Sequence, residues 1–331
     1  MTSRALGATG LAVSRLGLGL AALGRPGYLN LGHASDLRGA YQVEAMERGA
    51  HAVLDAAFAA GIRYLDVARS YGRGEEFLAS WLAARDGARG AVVVGSKWGY
   101  TYTAQWRVDA ASHEVKDHSL AAFERQWRES RACLGERIDV YQIHSATLES
   151  GVLDDRAVMH ALARLRAEGV RIGLSVSGPR QSEVIRRALA VEVDGARLFQ
   201  TVQATWNLLE RSAGAALADA HAAGLGVIVK EGMANGRLAA RVEGSPPLAD
   251  ETVLERACAR LGCTRDALAL AAVVAEPWVD VVLSGAATPA QLASNARALE
   301  VAWDAQAAHE LAALVEEPAS YWGTRSRLPW N

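Results

Sequence analysis

Eight short apolar runs, many of them β-branched, alternate with longer amphipathic segments, and this alternation constrains the fold more than any other feature of the sequence. The runs are 16–20 (LGLGL), 62–66 (IRYLD), 92–97 (VVVGSK), 139–143 (DVYQI), 171–175 (RIGLS), 200–204 (QTVQA), 226–230 (GVIVK) and 280–284 (DVVLS). Near-continuous apolar runs of this length suit strands of a parallel sheet covered by helices. Helices are expected at about 43–60, 75–84, 117–134, 155–169, 181–191, 213–223 and 289–298, with further helical turns in 250–275. Within 155–169, Val158, Ala161, Leu162 and Leu165 recur at helical spacing while Arg156, Arg164 and Arg166 are free to face water. Eight β/α units can close on themselves, so the expected fold class is α/β, a (β/α)8 TIM barrel. An open doubly wound sheet is the rival. The early run LGLGLAALG does not keep GxGxxG spacing, however, and lacks an acidic residue at the expected distance after its helix.

The segment 5–14 reads as a hairpin with Ala8, Thr9 and Gly10 near its turn, placed to cover the bottom of the barrel. Loops 21–42, 98–116 and 232–249 are longer than a βα connection needs and are candidates for a binding surface. One domain over 1–331 is expected, with 301–331 forming a C-terminal helix and a tail, rich in aromatics and arginines, that can close over the same face. The 35 Lys and Arg against 37 Asp and Glu leave no basic face, so nucleic acid is not an expected partner. Cys133, Cys258 and Cys263 have neither metal-knuckle nor disulfide-framework spacing, and no metal site is expected. The start has no apolar signal core, and ALALAAVVAEPWVDVVL is broken by Glu276, Pro277 and Asp280. A cytoplasmic protein with no membrane span is therefore expected, and its oligomeric state is left open.

The most informative residues are dispersed: Asp66 and Tyr71 in YLDVARSYG, Lys97 in VVVGSKWG and His144 in VYQIHSA. Asp66 and Lys97 fall at strand ends, His144 directly follows a strand, and Tyr71 lies in the loop after the second strand, so all four can face one cavity. A carboxylate beside a lysine supplies a counter-charge, and the cation favours ionisation of a neighbouring tyrosine. Such a phenol can give a proton to an oxygen, or take it back. Each residue alone also has a structural reading: a cap or ion pair for Asp66, a snorkelling lysine, a half-buried tyrosine, a satisfied core histidine.

These segments resemble the aldo-keto reductase family, (β/α)8 barrels with an Asp, Tyr, Lys, His tetrad that falls here on Asp66, Tyr71, Lys97 and His144. The likeness runs from the N-terminal hairpin to about residue 300. It implies a nicotinamide-dependent oxidoreductase interconverting a carbonyl and an alcohol, with Tyr71 as proton donor or acceptor and a small-molecule substrate. On the same resemblance Ser175 and Gln203 match residues that bond the nicotinamide carboxamide, while the usual following asparagine is Val176, for which Ser177 is a substitute. Lys230 stands where an aromatic residue often stacks under the ring. Its ammonium would oppose an oxidised nicotinamide unless a partner such as Glu231 cancels it, and neighbours on a strand normally face opposite ways. Gly232, Asn235, Gly236 and Arg237 can cradle a pyrophosphate, or simply form a barrel-rim loop. Gly285, Thr288, Gln291 and Asn295 fall on the adenosine side. The basic residues common there are replaced by Gly285 and Gln291, so NADP(H) is the cofactor the resemblance implies and NAD(H) the alternative.

Tyr28, Trp98, Tyr100 and Trp206 follow expected strands and Trp322 lies in the tail, so these aromatics can wall a substrate pocket, with Trp98 the foremost; their other reading is helix-to-barrel packing. Two further functions share the same features: a nicotinamide-binding regulatory module, and a non-redox lyase or isomerase using Tyr71, Lys97 and His144.

Overall fold

The computed structural model describes residues 3–331 apart from positions 86, 89, 241, 243 and 244. The last three belong to the loop expected over 232–249 and lie outside the described residues. Eight parallel strands close into a barrel: β1 Leu16–Gly19, β2 Tyr64–Asp66, β3 Val93–Trp98, β4 Val140–Ala146, β5 Arg171–Val176, β6 Thr201–Thr205, β7 Gly226–Lys230 and β8 Val281–Ser284, with β8 pairing β1. The helices around it are α1 Val43–Ala59, α2 Gly74–Ala83, α3 Leu120–Leu134, α4 Arg156–Ala167, α5 Gln181–Leu189, α6 Gly214–Ala222, α7 Arg265–Val274 and α8 Pro289–Ala296. The TIM barrel read from the sequence is the fold. No helix among the described residues is long and apolar enough to cross a membrane.

Local chemistry sets the helix ends. Ser119, Asp155 and Thr288 each accept a backbone N–H in the first turn of α3, α4 and α8, satisfying donors that a helix start leaves free. The expected turns at 250–275 are two helices, Glu251–Leu261 and α7, because Gly262 takes a left-handed conformation and stops the first. Ser3–Ala5 pairs antiparallel with Ala12–Ser14, and this hairpin puts Leu6 and Val13 against Tyr64, Val93, Val140 and Val281 at the lower end of the barrel. The hairpin therefore plugs the bottom and leaves the opposite rim for a site.

Two features complete the rim. The expected loop 98–116 contains a hairpin, Tyr100–Tyr102 paired with Glu114–Lys116. The tail continues through the helix Pro318–Ser326 and returns to the rim, where Asn331 exchanges backbone hydrogen bonds with Tyr28 at 3.0 and 3.2 Å.

Candidate functional site

Strand register brings the dispersed tetrad together. Asp66 ends β2, Lys97 is the penultimate residue of β3, and His144 precedes a shift of register in β4 where Ser145 has a left-handed φ of 53°. Ser145 N donates to Ser175 Oγ at 2.8 Å, which pins this bulge, and His118 Nε2 meets the His144 carbonyl at 2.9 Å. Tyr71 arrives on the loop after β2. Gly24 lets the β1 loop pass beneath it, since a Cβ there would stand 2.2 Å from the Tyr71 carbonyl oxygen.

Lys97 Nζ donates to Asp66 Oδ1 at 2.5 Å and to the Val67 carbonyl at 2.9 Å, and it lies 4.9 Å from the Tyr71 ring centroid. Gln203 Nε2 donates to the other Asp66 oxygen at 2.8 Å. Tyr71 Oη is 3.5 Å from His144 Nε2, and Ser70 Oγ is 3.4 Å from His144 Nδ1. Burial pushes the Tyr71 phenol well above its ordinary value, Asp66 pushes the same way, and Arg25 opposes. Desolvation therefore leaves Tyr71 a neutral phenol that holds its proton. Burial, reinforced by Lys97, Arg25 and Lys230, drives His144 well below 6.5, so its ring is neutral near neutral pH.

Arg25 and Arg325 are the residues the sequence reading missed. Arg25 is buried, donates to Glu114 at 2.8 Å and the Ser70 carbonyl at 3.2 Å, and packs against the rings of Tyr71, Tyr28 and Trp330 at 5.2, 5.4 and 4.9 Å. Arg325, from the tail helix, meets both carboxylate oxygens of Glu231 through Nε at 3.0 Å. These partners are 89 and 94 residues apart, so no local pattern announces them.

Lys230 ends β7 with Nζ 2.8 Å from Thr205 Oγ1 and 3.8 Å from Glu231 Oε1. The alternation argument against a Lys230–Glu231 pair fails because Glu231 has a φ of 56°, which turns it out of strand geometry and back toward its neighbour. Burial lowers Lys230 to about 8 against the attraction of Glu231. Despite burial, Arg325 and Lys230 hold Glu231 at about 2.

The rim opens into a cleft lined by Tyr28, Asp66, Tyr71, His144, Gln203 and Lys230 among others. A second cleft runs past Gly236, Gln291 and Asn295, and the two share Asn30, Met233 and Gly285. Sharing these residues, the two clefts form one continuous groove from the tetrad to α8, a shape that suits an extended ligand. A dinucleotide fits what lines them. Gly285 has open space where a Cβ would project, and the buried Asn235 Oδ1 on the wall of the first cleft has no partner among the described residues.

Several expected contacts are placed elsewhere. Trp98 is fully buried between Phe123 and His118, and Trp206 packs on Trp278, so neither is the substrate wall expected of it; both fill helix-to-barrel seams. Trp322 packs on Tyr321 and approaches the cleft through Lys230 and Arg325, 5.7 and 5.3 Å from its ring. Tyr28 lines the cleft and Tyr100 stands 5.0 Å from the His144 ring. Arg237 is not a free charge for a pyrophosphate, because Glu316 takes its guanidinium. Thr288 serves as the cap of α8, Ser175 lies beneath the floor on Ser145, and Val176 is buried. Gly232 and Asn235 remain on the cleft wall.

With this geometry in hand, a family model described as "Aldo/keto reductase family" matches residues 15–316. The chain belongs to the aldo-keto reductase family. Among solved structures it resembles the aldo-keto reductase AKR11C1 from Bacillus halodurans in its holo form, at 24% identity and TM-score 0.71 over 96% of this chain and 97% of that one. It also resembles PA4992 of Pseudomonas aeruginosa, assigned as an aldo-keto reductase, at 26% identity and TM-score 0.63 over 93% and 95%. A further structure so assigned from the same organism matches at 26% identity and TM-score 0.62 over 90% and 95%. No curated protein matches. Family membership supports oxidoreductase chemistry in general for this aldo-keto reductase.

Proposed function

We propose that the protein interconverts a small carbonyl compound and an alcohol using a nicotinamide dinucleotide, with Tyr71 as the proton donor or acceptor. The observation that carries this reading is the meeting of Tyr71 Oη and His144 Nε2 at 3.5 Å over the Lys97–Asp66 ion pair, at the head of a cleft that continues into a second one past α8.

Bound nicotinamide supplies or accepts the hydride. Gln203, Gly232, Asn235, Gly285, Gln291 and Asn295 are the residues that would hold the dinucleotide. A substrate oxygen seated between Tyr71 and His144 has two donors aimed at the charge it develops. In the tautomer where Ser70 Oγ donates to Nδ1, His144 Nε2 carries the proton and orients the oxygen, while Tyr71 Oη gives up its own. Asp66 and Gln203 fix the Lys97 ammonium below the phenol, where it stabilises the phenolate left behind. In the alcohol-oxidising direction the same groups run in reverse.

The alternatives, a regulatory module that only binds the dinucleotide and a non-redox lyase or isomerase, are separated by one experiment. Reduced dinucleotide is mixed with a panel of aldehydes and ketones and its loss is followed at 340 nm. Carbonyl-dependent oxidation supports the proposal; tight binding with no oxidation points to the regulatory module, and substrate conversion without dinucleotide points to the lyase or isomerase.

A further inference from the structure

The adenosine end of the cleft carries an unusual polar wall. Gln291, in the first turn of α8, accepts from Ala287 N at 2.9 Å and donates through Nε2 to Asp36 Oδ1 at 2.8 Å. Asp36 comes from the far side of the cleft, on the short helix His33–Leu37 in the loop after β1, and is half-buried. Asp266 also lines this end and accepts from the Asn295 amide at 2.8 Å. Arg265 is the cation among the described lining residues, and it is already engaged by Glu255 at 2.9 Å and Glu251 at 3.8 Å. Two carboxylates therefore face the groove where one committed arginine is the only positive charge among its described lining residues.

A phosphate monoester brings a charge of about −1.5 to −2 and needs cations or several free N–H donors. Seated here it would meet Asp36 and would have to break the Asp36–Gln291 bond, with no uncommitted guanidinium among the described residues that line the groove. A ribose hydroxyl has the opposite requirement: it donates to a carboxylate and accepts from an amide, which is what the Asp36–Gln291 pair offers. We propose that Asp36, held across the cleft by Gln291, is a specificity-determining residue that selects a dinucleotide with a free 2′-hydroxyl, NAD(H), over its 2′-phosphorylated form.

This inference rests on the reading of the cleft as a dinucleotide site, and the two fail differently. NADH and NADPH are titrated separately against the full chain, following tryptophan quenching and nucleotide fluorescence, for the parent, Asp36→Asn, Gln291→Arg and the double variant Asp36→Asn/Gln291→Arg. The parent is expected to bind NADH at least on the order of 10-fold more tightly, and Asp36→Asn to bring the two within about 3-fold. Gln291→Arg alone should gain little for NADPH, because Asp36 is placed to neutralise the new guanidinium. The double variant should favour NADPH by more than the two single changes combined, the signature of coupled neighbours. A parent that prefers NADPH, or an unchanged preference in a natively folded Asp36→Asn, overturns the inference and leaves the dinucleotide site standing. Binding of neither nucleotide to the parent overturns the site itself.

Discussion

Replacing Lys230 with Met removes an ammonium from the cleft while keeping most of its apolar stem. A unit charge about 6 Å from an oxidised nicotinamide is worth ~3 kcal/mol at an effective dielectric near 20. Glu231, 3.8 Å from the ammonium, opposes that repulsion, but Arg325 also claims its carboxylate. Halving the interaction leaves about 1.4 kcal/mol, a factor of about 10. The ratio of dissociation constants, oxidised over reduced cofactor, should therefore fall roughly tenfold in Lys230→Met near pH 7, measured by titration at matched ionic strength. Burial sets the Lys230 pKa at about 8, so the parent is about nine-tenths charged at pH 7 and about one-tenth charged at pH 9. The parent's ratio should fall over that interval while the variant's stays flat. Equal ratios in the two proteins at pH 7 would refute the reasoning by placing the ammonium away from the ring or already neutralised.

Gly24→Ala drives a Cβ to within 2.2 Å of the Tyr71 carbonyl; it should cost about 1–3 kcal/mol in urea denaturation and lower turnover while dinucleotide affinity is kept. Trp98→Phe should cost about 1–3 kcal/mol of stability and leave KM for carbonyl substrates within about twofold, since the indole is sealed in the core. Glu231→Gln removes one partner of a buried cluster and should destabilise by about 3–5 kcal/mol at pH 7. Because the folded carboxyl sits at about 2, below its ordinary 4.5, that stabilisation is fully present above pH 4.5 and is lost as pH falls toward 2. Denaturation of both proteins across that window should show their difference shrinking.

The barrel was legible because strand and helix periods recur eight times, and the tetrad because strand-end position alone places Asp66, Lys97 and His144 on one rim. What stayed illegible depends on contacts between distant segments. Arg25 needs a glutamate from a hairpin hidden in an expected loop, and Arg325 needs a tail that returns to the rim. Alternation placed Glu231 away from Lys230 because a single residue with positive φ is invisible to a period-two pattern. Trp98 misled for a related reason: it is the last residue of β3, where successive side chains face opposite ways, so that with Lys97 turned to the interior Trp98 turns to the helices. Asp36 drew no notice because nothing in its own segment points to Gln291, 255 residues away.

The central claim is that Tyr71 moves the proton, and single-turnover hydride transfer in Tyr71→Phe tests it most directly. The variant loses one hydroxyl at the rim, so fold and dinucleotide affinity should match the parent while the transfer step slows by about 100-fold or more near neutral pH. A variant that binds the dinucleotide as the parent does and transfers hydride at the parent's rate would contradict the account.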